Sequence, residues 1–317
     1  MSIYRLILRR LFLGLLTLIA VTIVISGALA LLPGDFAQAI LGQGATPEAV
    51  AAIRAKLGLD QPFHTRYLSW LAGILTGDFG TSLTDQRPVI DLLGDRMANT
   101  LFLAMLAGAM SIPLSITLGL LAALYRKSIF DRVTNIGALA SISSPEFVVG
   151  YLLLLFMAVK HQWFSPISTV SAGMGFFDRL SLTFLPALTL TLVVTAHMMR
   201  MTRAAIINLL SLPYIEMAHL KGLSPWGVVW RHAMPNALAP IINVVSINMA
   251  YLITGVVVVE VVFAYPGVGQ LFVDSVSLRN VPIVQACCVV FAVAYIVLNL
   301  IADVMTIASN PRLRHPK

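Results

Sequence analysis

The strongest limit on the fold is a set of apolar stretches that only a lipid bilayer explains. The first runs from about Leu11 to Leu32. At 1.5 Å per residue, a helix of that length crosses a hydrocarbon core of about 30 Å. Five more follow, from about Ala98 to Tyr125, Val133 to Val159, Leu182 to His197, Leu238 to Val259 and Ile283 to Ile307. No water reaches the backbone inside lipid, so each stretch must satisfy its own hydrogen bonds as a helix. Composition agrees, with 58% of residues hydrophobic and 11% charged, against about 25% charged in soluble domains. The expected fold is all-α, a polytopic membrane protein with six transmembrane helices and both termini on one side. Residues 1–32 hold the N-terminus and first span, 33–97 an external segment, 98–308 the remaining spans, and 309–317 a tail. The first stretch is too long for a cleavable signal peptide and lacks a small-residue cleavage site, so none is expected.

The net charge of +7 suggests nucleic acid until the positions of the cations are read. The N-terminus, the 125–133 turn, the 210–239 loop with its approach, and the tail carry 3, 3, 4 and 3 Lys/Arg, while the other side holds 8, five of them in one long segment. Short loops weigh most in setting orientation, so both termini and the 210–239 loop are expected to be cytoplasmic. The pattern is topology, and no nucleic-acid partner is expected. Cys287 and Cys288 are adjacent in an apolar stretch without metal-ligand spacing, and they read as packing residues.

The external segment reads as a small helical unit. Thr46-Pro47-Glu48 starts a helix with Val50, Ile53 and Leu57 on one face and Gly58 as its stop. A second amphipathic helix is predicted from Phe63 to Leu75, then a turn at Gly77-Asp78-Phe79-Gly80. Tyr67, Trp70 and Phe79 are aromatics of the membrane-interface kind. An interfacial lid packed on the bundle and direct contact with a substrate fit them equally.

Within the spans, polar and small residues mark what needs explaining. Thr100, Ala104, Gly108, Ser111, Ser115, Gly119 and Ala122 recur at helical spacing, a small-residue face that lets another helix approach closely. Six spans are few for enclosing a path, so a second, homologous subunit is expected, and the stripe packs either against it or inside the same chain. The third span contains Pro145 and Glu146, about thirteen residues in, beside Ser141, Ser143 and Ser144. Proline at 145 deletes a backbone donor and is expected to free the carbonyl near Ser141. A carboxylate at that depth must face the bundle interior, a partner or water. It either lines a path with Ser143 and favours a cationic group, or is a structural carboxylate held by backbone and hydroxyls. On the fifth span Asn243, Ser246, Ala250 and Thr254 share a face suited to a polar path. No catalytic, cofactor or metal residues are expected.

Residues 210–239 sit between two apolar stretches yet read as soluble structure. Ser211 is placed to N-cap a short helix with Pro213 near its start, and Gly222 to end it in a left-handed conformation. Ser224 then caps a second helix with Pro225 at its first position, where a missing N–H costs nothing. Trp226, Val229 and Trp230 fall at i, i+3 and i+4, a bulky apolar ridge. Glu216 lies early in the first helix, where its charge suits the dipole. The predicted unit is helix, glycine bend, helix. It holds no cluster of catalytic groups, so docking a partner suits it better than chemistry.

This spacing resembles the E-A-A loop of ATP-binding-cassette importer permeases. Glu216, Met217 and Ala218 occupy the E-A-A places, Gly222 the glycine, and His232, Met234 and Pro235 the ending. Met217, His232 and Met234 depart from the general pattern. His232 to Pro240 is similar to the version in dipeptide, oligopeptide and nickel permeases. The likeness continues in Leu32-Pro33-Gly34-Asp35, Arg54 to Asp60, Arg66-Tyr67-Leu68, Gly77-Asp78 and Asn99-Thr100-Leu101. It closes with Gly255, Glu260, Pro266-Gly267 and Asn299-Leu300. Asn280 and Asn310 stand where Asp is common, which touches local charge pairing.

The resemblance implies one of two different permease subunits, embedded in lipid, paired with two cytoplasmic ATPases and fed by an external substrate-binding protein. Glu216, Met217, Ala218, Gly222, Trp226, His232 and Pro235 would then couple to the ATPases. No Gly-Lys pair occurs anywhere, so the chain has no phosphate-binding loop and ATP must act in the partner subunits. Cargo in this family spans di- and oligopeptides, glutathione, nickel complexes and some sugars. A secondary transporter would show paired repeats with broken helices, and none is visible. An intramembrane hydrolase would need G-x-S-x-G, H-E-x-x-H or paired aspartates, all missing. A passive channel would leave the 210–239 loop unexplained.

Overall fold

Each apolar stretch does become helix, but with ends and bends that hydropathy hides. The computed structural model describes residues 3–31, 46–56, 60–171, 173–254 and 256–309. Among them, five helices are long and apolar enough to cross a membrane: Ile7–Leu31, Val89–Leu124, Phe176–Leu210, Pro225–Ile253 and Val281–Ile307. A bent pair, Ile129–Ser143 and Glu146–Lys160 at 106°, makes six if it is taken as one span. The Leu32–Asp35 motif, the Leu57–Gly58 helix stop, Gly255 and Asn310 lie outside the described residues.

In chain order, the helices are α1 (Ile3–Leu31), α2 (Pro47–Lys56), α3 (Phe63–Leu75), α4 (Val89–Leu124), α5 (Ile129–Ser143) and α6 (Glu146–Leu153). Then come α7 (Phe176–Leu210), α8 (Pro213–Leu220), α9 (Pro225–Val228), α10 (Met234–Thr254), α11 (Val257–Val262), α12 (Val268–Ser277) and α13 (Val281–Ser309). Wider π turns extend α6 through Leu154–Lys160 and join α9 to α10 through Val229–Ala233. The second span starts nine residues before Ala98, because Asp91, Asp95 and Arg96 mask its first turns in any hydropathy average.

The two helices predicted between the first and second spans form. Thr46 accepts a hydrogen bond from the Ala49 amide at 3.3 Å, opening α2. Helix α3 rests on α1, where the hydroxyls of Tyr67 and Thr22 meet at 2.9 Å. Asn280 ties the 82–84 turn to the last span. Its Nδ2 donates to Ser82 at 2.9 Å and Thr84 at 3.2 Å, while its Oδ1 accepts from the Leu83 amide at 3.2 Å. An amide serves there because it both donates and accepts; a carboxylate could only accept.

The small-residue stripe of α4 packs inside this subunit. Thr100, Ser111, Ser115 and Ala122 are all within 1% of full burial, with α7 at Gly119, Met249 of α10 at Gly108 and Glu260 at Thr100. A Cβ on Gly119 would lie 2.8 Å from the Met199 carbonyl and 2.9 Å from Thr202. Of the two readings of the stripe, packing inside the chain is the one seen, with this close approach used there. The main core gathers where α4, α7, α10 and α11 meet, around Leu103, Leu185, Met198, Leu252 and Phe263. At the far end of α7, Arg203 grips Asp131 in two-pronged fashion at 2.7 and 2.9 Å, fixing α5 to α7.

Candidate translocation cavity and docking surface

The bend between α5 and α6 follows from Pro145. A residue before proline is pushed out of the helical region, and Ser144 accordingly lies at φ −93°, ψ 130°. Pro145 then caps α6 with its carbonyl, which accepts from the amides of Val148 and Val149. The Ser141 carbonyl is not freed as predicted, because the Ser144 amide donates to it at 3.3 Å. The bend opens a cavity of about 640 Å³ between α5–α6, α7 and α10, within the size of small-molecule sites. Ser143, Ser144 and Glu146 line one side, Val193 and His197 another, and Asn248 and Tyr251 a third.

Glu146 and Ser143 are thus brought together on this cavity. The predicted face of the fifth span is not the one it shows. Val244, Ile247, Asn248 and Tyr251 of α10 line the cavity, one helical face away from Asn243, Ser246 and Ala250. Ala250 is fully buried against other helices, and the Thr254 side chain lies outside the described residues. Helical spacing gave a coherent face but not its rotation, which packing of α10 on α7 and α13 decides.

Glu146 has no hydrogen-bond or ion-pair partner among the described residues, and neither does His197. An isolated carboxylate at mid-membrane depth costs at least about 2.5 kcal/mol on insertion scales. The cavity beside it offers relief, with water or a cationic ligand in it. His197 was missed by sequence reading, although an imidazole inside the apolar run Leu182–Thr202 is the same signal that marked Glu146.

A second polar centre lies between the fifth and sixth spans, in the stretch read as loop. Helices α11 and α12 fold back against α4. Glu260, fully buried, accepts from the Thr100 hydroxyl at 2.7 Å and from the amides of Gly269 at 2.7 Å and Gln270 at 3.1 Å. The Val268 amide donates to Thr100 Oγ1 at 2.9 Å. The first three amides of α12, orphaned by helix geometry, are therefore all capped from other elements. A Cβ on Gly267 would fall on the Glu260 carboxylate, so that position is closed to every other residue. Tyr265 adds a bond from its hydroxyl to the Asn99 carbonyl at 2.9 Å, and Arg179 donates to Asn99 Oδ1 at 3.1 Å.

The 210–239 region keeps its glycine bend, with Gly222 at φ +78°. A Cβ there would meet nothing within 4 Å, so conformation rather than space requires glycine. Ser224 caps as predicted, accepting from the Gly227 amide at 3.2 Å. Ser211 does not cap α8; its hydroxyl donates to the Asn208 carbonyl at 2.8 Å, finishing α7 instead. The second helix is no separate hairpin arm either, since α9 runs through its π turn into α10, and Pro235 sits at that junction.

Ala218 is buried with Ile215, Val228 and Ala233 in a small inner core. Glu216 stands exposed in the first turn of α8. Val229 is fully buried, leaving Trp226 and Trp230 as the outward part of the predicted ridge. His232 is half-buried, with its carbonyl accepting from Asn236 Nδ2 at 2.8 Å. Met217, Leu220 and Trp230 are 55%, 76% and 57% exposed, an apolar outer face that suits a protein partner.

Two family models match the chain. "Binding-protein-dependent transport system inner membrane component" covers residues 115–315, and its N-terminal counterpart covers residues 3–104. The glutathione transport system permease protein GsiC of Salmonella choleraesuis is 37% identical over 310 residues, 98% of each chain. A probable peptide ABC transporter permease, y4tP of Sinorhizobium fredii, is 36% identical over 98% of this chain and 99% of its own. Among solved structures, the inward-facing MetNI methionine ABC transporter shares the fold at a TM-score of 0.55 and 18% identity. That likeness covers 70% of this chain and 97% of the other.

Proposed function

We propose that this chain, which belongs to the binding-protein-dependent transport system inner membrane component family, forms half of the translocation path of an importer for small peptides. Members of the family are ABC importer permeases, multi-pass inner-membrane transport components rather than enzymes, working with ATPase and substrate-binding components. The finer reading has four parts. The cavity at the 106° bend is this subunit's share of the path. A second, homologous permease closes it, and lipid surrounds the outward face of α1. The α8–α9 region faces the cytoplasm with both termini and receives an ATPase, Glu216 and Gly222 setting its geometry. Glu146 favours cargo with a cationic group.

The observation that carries this reading is the unpaired Glu146 facing a cavity of peptide size at the break of a span. The names of the relatives, glutathione and peptide permeases, agree with it.

The test is reconstitution with the second permease, ATPases and binding protein in proteoliposomes. Labelled small peptides should accumulate only with ATP on the ATPase side. In Glu146→Gln, which keeps shape and deletes charge, uptake of cationic cargo should fall more than uptake of neutral cargo, with assembly intact. If no peptide is accumulated by the wild-type complex, the substrate reading fails. Equal loss of both cargoes in the variant removes the charge role.

A further inference from the structure

We infer that this cavity is a zwitterion-binding site, in which Glu146 takes the amino terminus of a short peptide and His197 its carboxylate. The inference rests on the peptide reading above and names what that cavity recognises. Two groups of opposite character, a carboxylate and an imidazole, face one space of about 640 Å³ from different helices. Neither has a partner among the described residues, so each is left for an occupant. They stand on different walls, Glu146 at the start of α6 and His197 on α7, so they do not neutralise each other.

The third wall supplies the middle of the ligand. Asn248 spends its Nδ2 on the Val244 carbonyl at 2.8 Å, which leaves its amide oxygen to accept from a peptide N–H. Beside Ser143, Ser144 and Tyr251, much of the remaining lining is apolar, with Val193, Val194, Met201 and Ile247. Such walls accept many side chains, and methionine adapts to their shapes. The arrangement therefore reads the two ends of a small peptide and tolerates what lies between. It would discriminate against a peptide with either end capped, because capping removes the charge that Glu146 or His197 would meet.

The test is equilibrium binding of radiolabelled Ala-Ala to the wild-type permease–ATPase complex in nanodiscs, without binding protein. Unlabelled Ala-Ala, its C-terminal amide and its N-acetyl form serve as competitors. Each capped form should compete about tenfold less well, the loss of one charge-assisted hydrogen bond. His197→Gln should erase the difference between Ala-Ala and its amide while keeping the penalty for N-acetylation. Glu146→Gln should do the reverse.

Equal competition by all three forms overturns the inference, as does a loss of all binding alike in both variants. Detachment of the second permease in either variant also overturns it, since the groups would then be interface contacts. Transport of Ala-Ala by the full complex, measured in parallel, separates the two readings. Transport without end-preference in the cavity sinks this inference and leaves the peptide reading standing. Failure to transport any peptide sinks both.

Discussion

The Glu260 centre and the α8–α9 region are opposite uses of the same material. Both are short helices inserted between spans, and both turn on a glycine. At the Glu260 centre every polar group looks inward: one carboxylate and one hydroxyl cap three amides of α12. At α8–α9 the inner core is small, and the large side chains, Met217, Leu220 and Trp230, point out. Gly267 is required by space and Gly222 by backbone angle. The difference teaches how to sort them. A helix insertion whose polar groups are satisfied within the chain is a fastening, and one that leaves apolar bulk uncovered is a surface for someone else.

That sorting predicts which losses are losses of protein and which are losses of coupling. The largest effect belongs to Gly267→Val, whose side chain would occupy the place of the Glu260 carboxylate. Displacing it strands buried donors at about 1–3 kcal/mol each, so the chain should almost vanish from quantified membrane fractions. A normal level would break the comparison at its firmest point. Next comes Glu260→Ala, which unpairs the Thr100 hydroxyl and the two amides without adding bulk. Membrane levels should fall below those of Glu260→Gln, which keeps one accepting oxygen, and Gln below wild type.

The α8–α9 region should behave otherwise. Gly222→Val puts a β-branched residue at φ +78°, a strain of about 1–2 kcal/mol. It should leave membrane levels near normal while abolishing substrate-stimulated ATP hydrolysis in the reconstituted complex. Unimpaired stimulation would remove the coupling role of the bend. The smallest effect is expected from Ser224→Ala. Losing that cap costs about 1 kcal/mol, so stimulated hydrolysis should drop by about half or less at unchanged protein levels. A collapse in protein amount would show that α8–α9 is a fastening after all.

Sequence pattern reached some of this and not the rest, for physical reasons. Local rules found local facts: the Ser224 cap, the left-handed Gly222 and the limits of α3 all depend on neighbours within a turn. Proline at 145 marked a disturbance, but the 106° angle depends on what α6 packs against. The rotation of α10 is set by α7 and α13, so the face it turns to the cavity is offset from the polar face that spacing picks out. Helices α11 and α12 are short, with Glu260 in the one and Gln270 and Asp274 in the other, which reads as loop rather than span. Glu260 was nonetheless visible as a lone acid in Val256–Phe263, the same signal that picked out Glu146 and would have picked out His197.

One consequence of the unbroken helix from Pro225 to Ile253 is mechanical. Its 29 residues make a rod about 43 Å long. Trp226 is at one tip, and Val244 to Tyr251, a wall of the cavity, lie roughly 30 Å along it. A tilt of about 5° pivoting at the tip would carry that wall sideways by about 2–3 Å over this arm, a large fraction of a small ligand's clearance. The Trp226 end and the cavity wall are two points on one rod, so a rigid tilt about a point between them moves both at once.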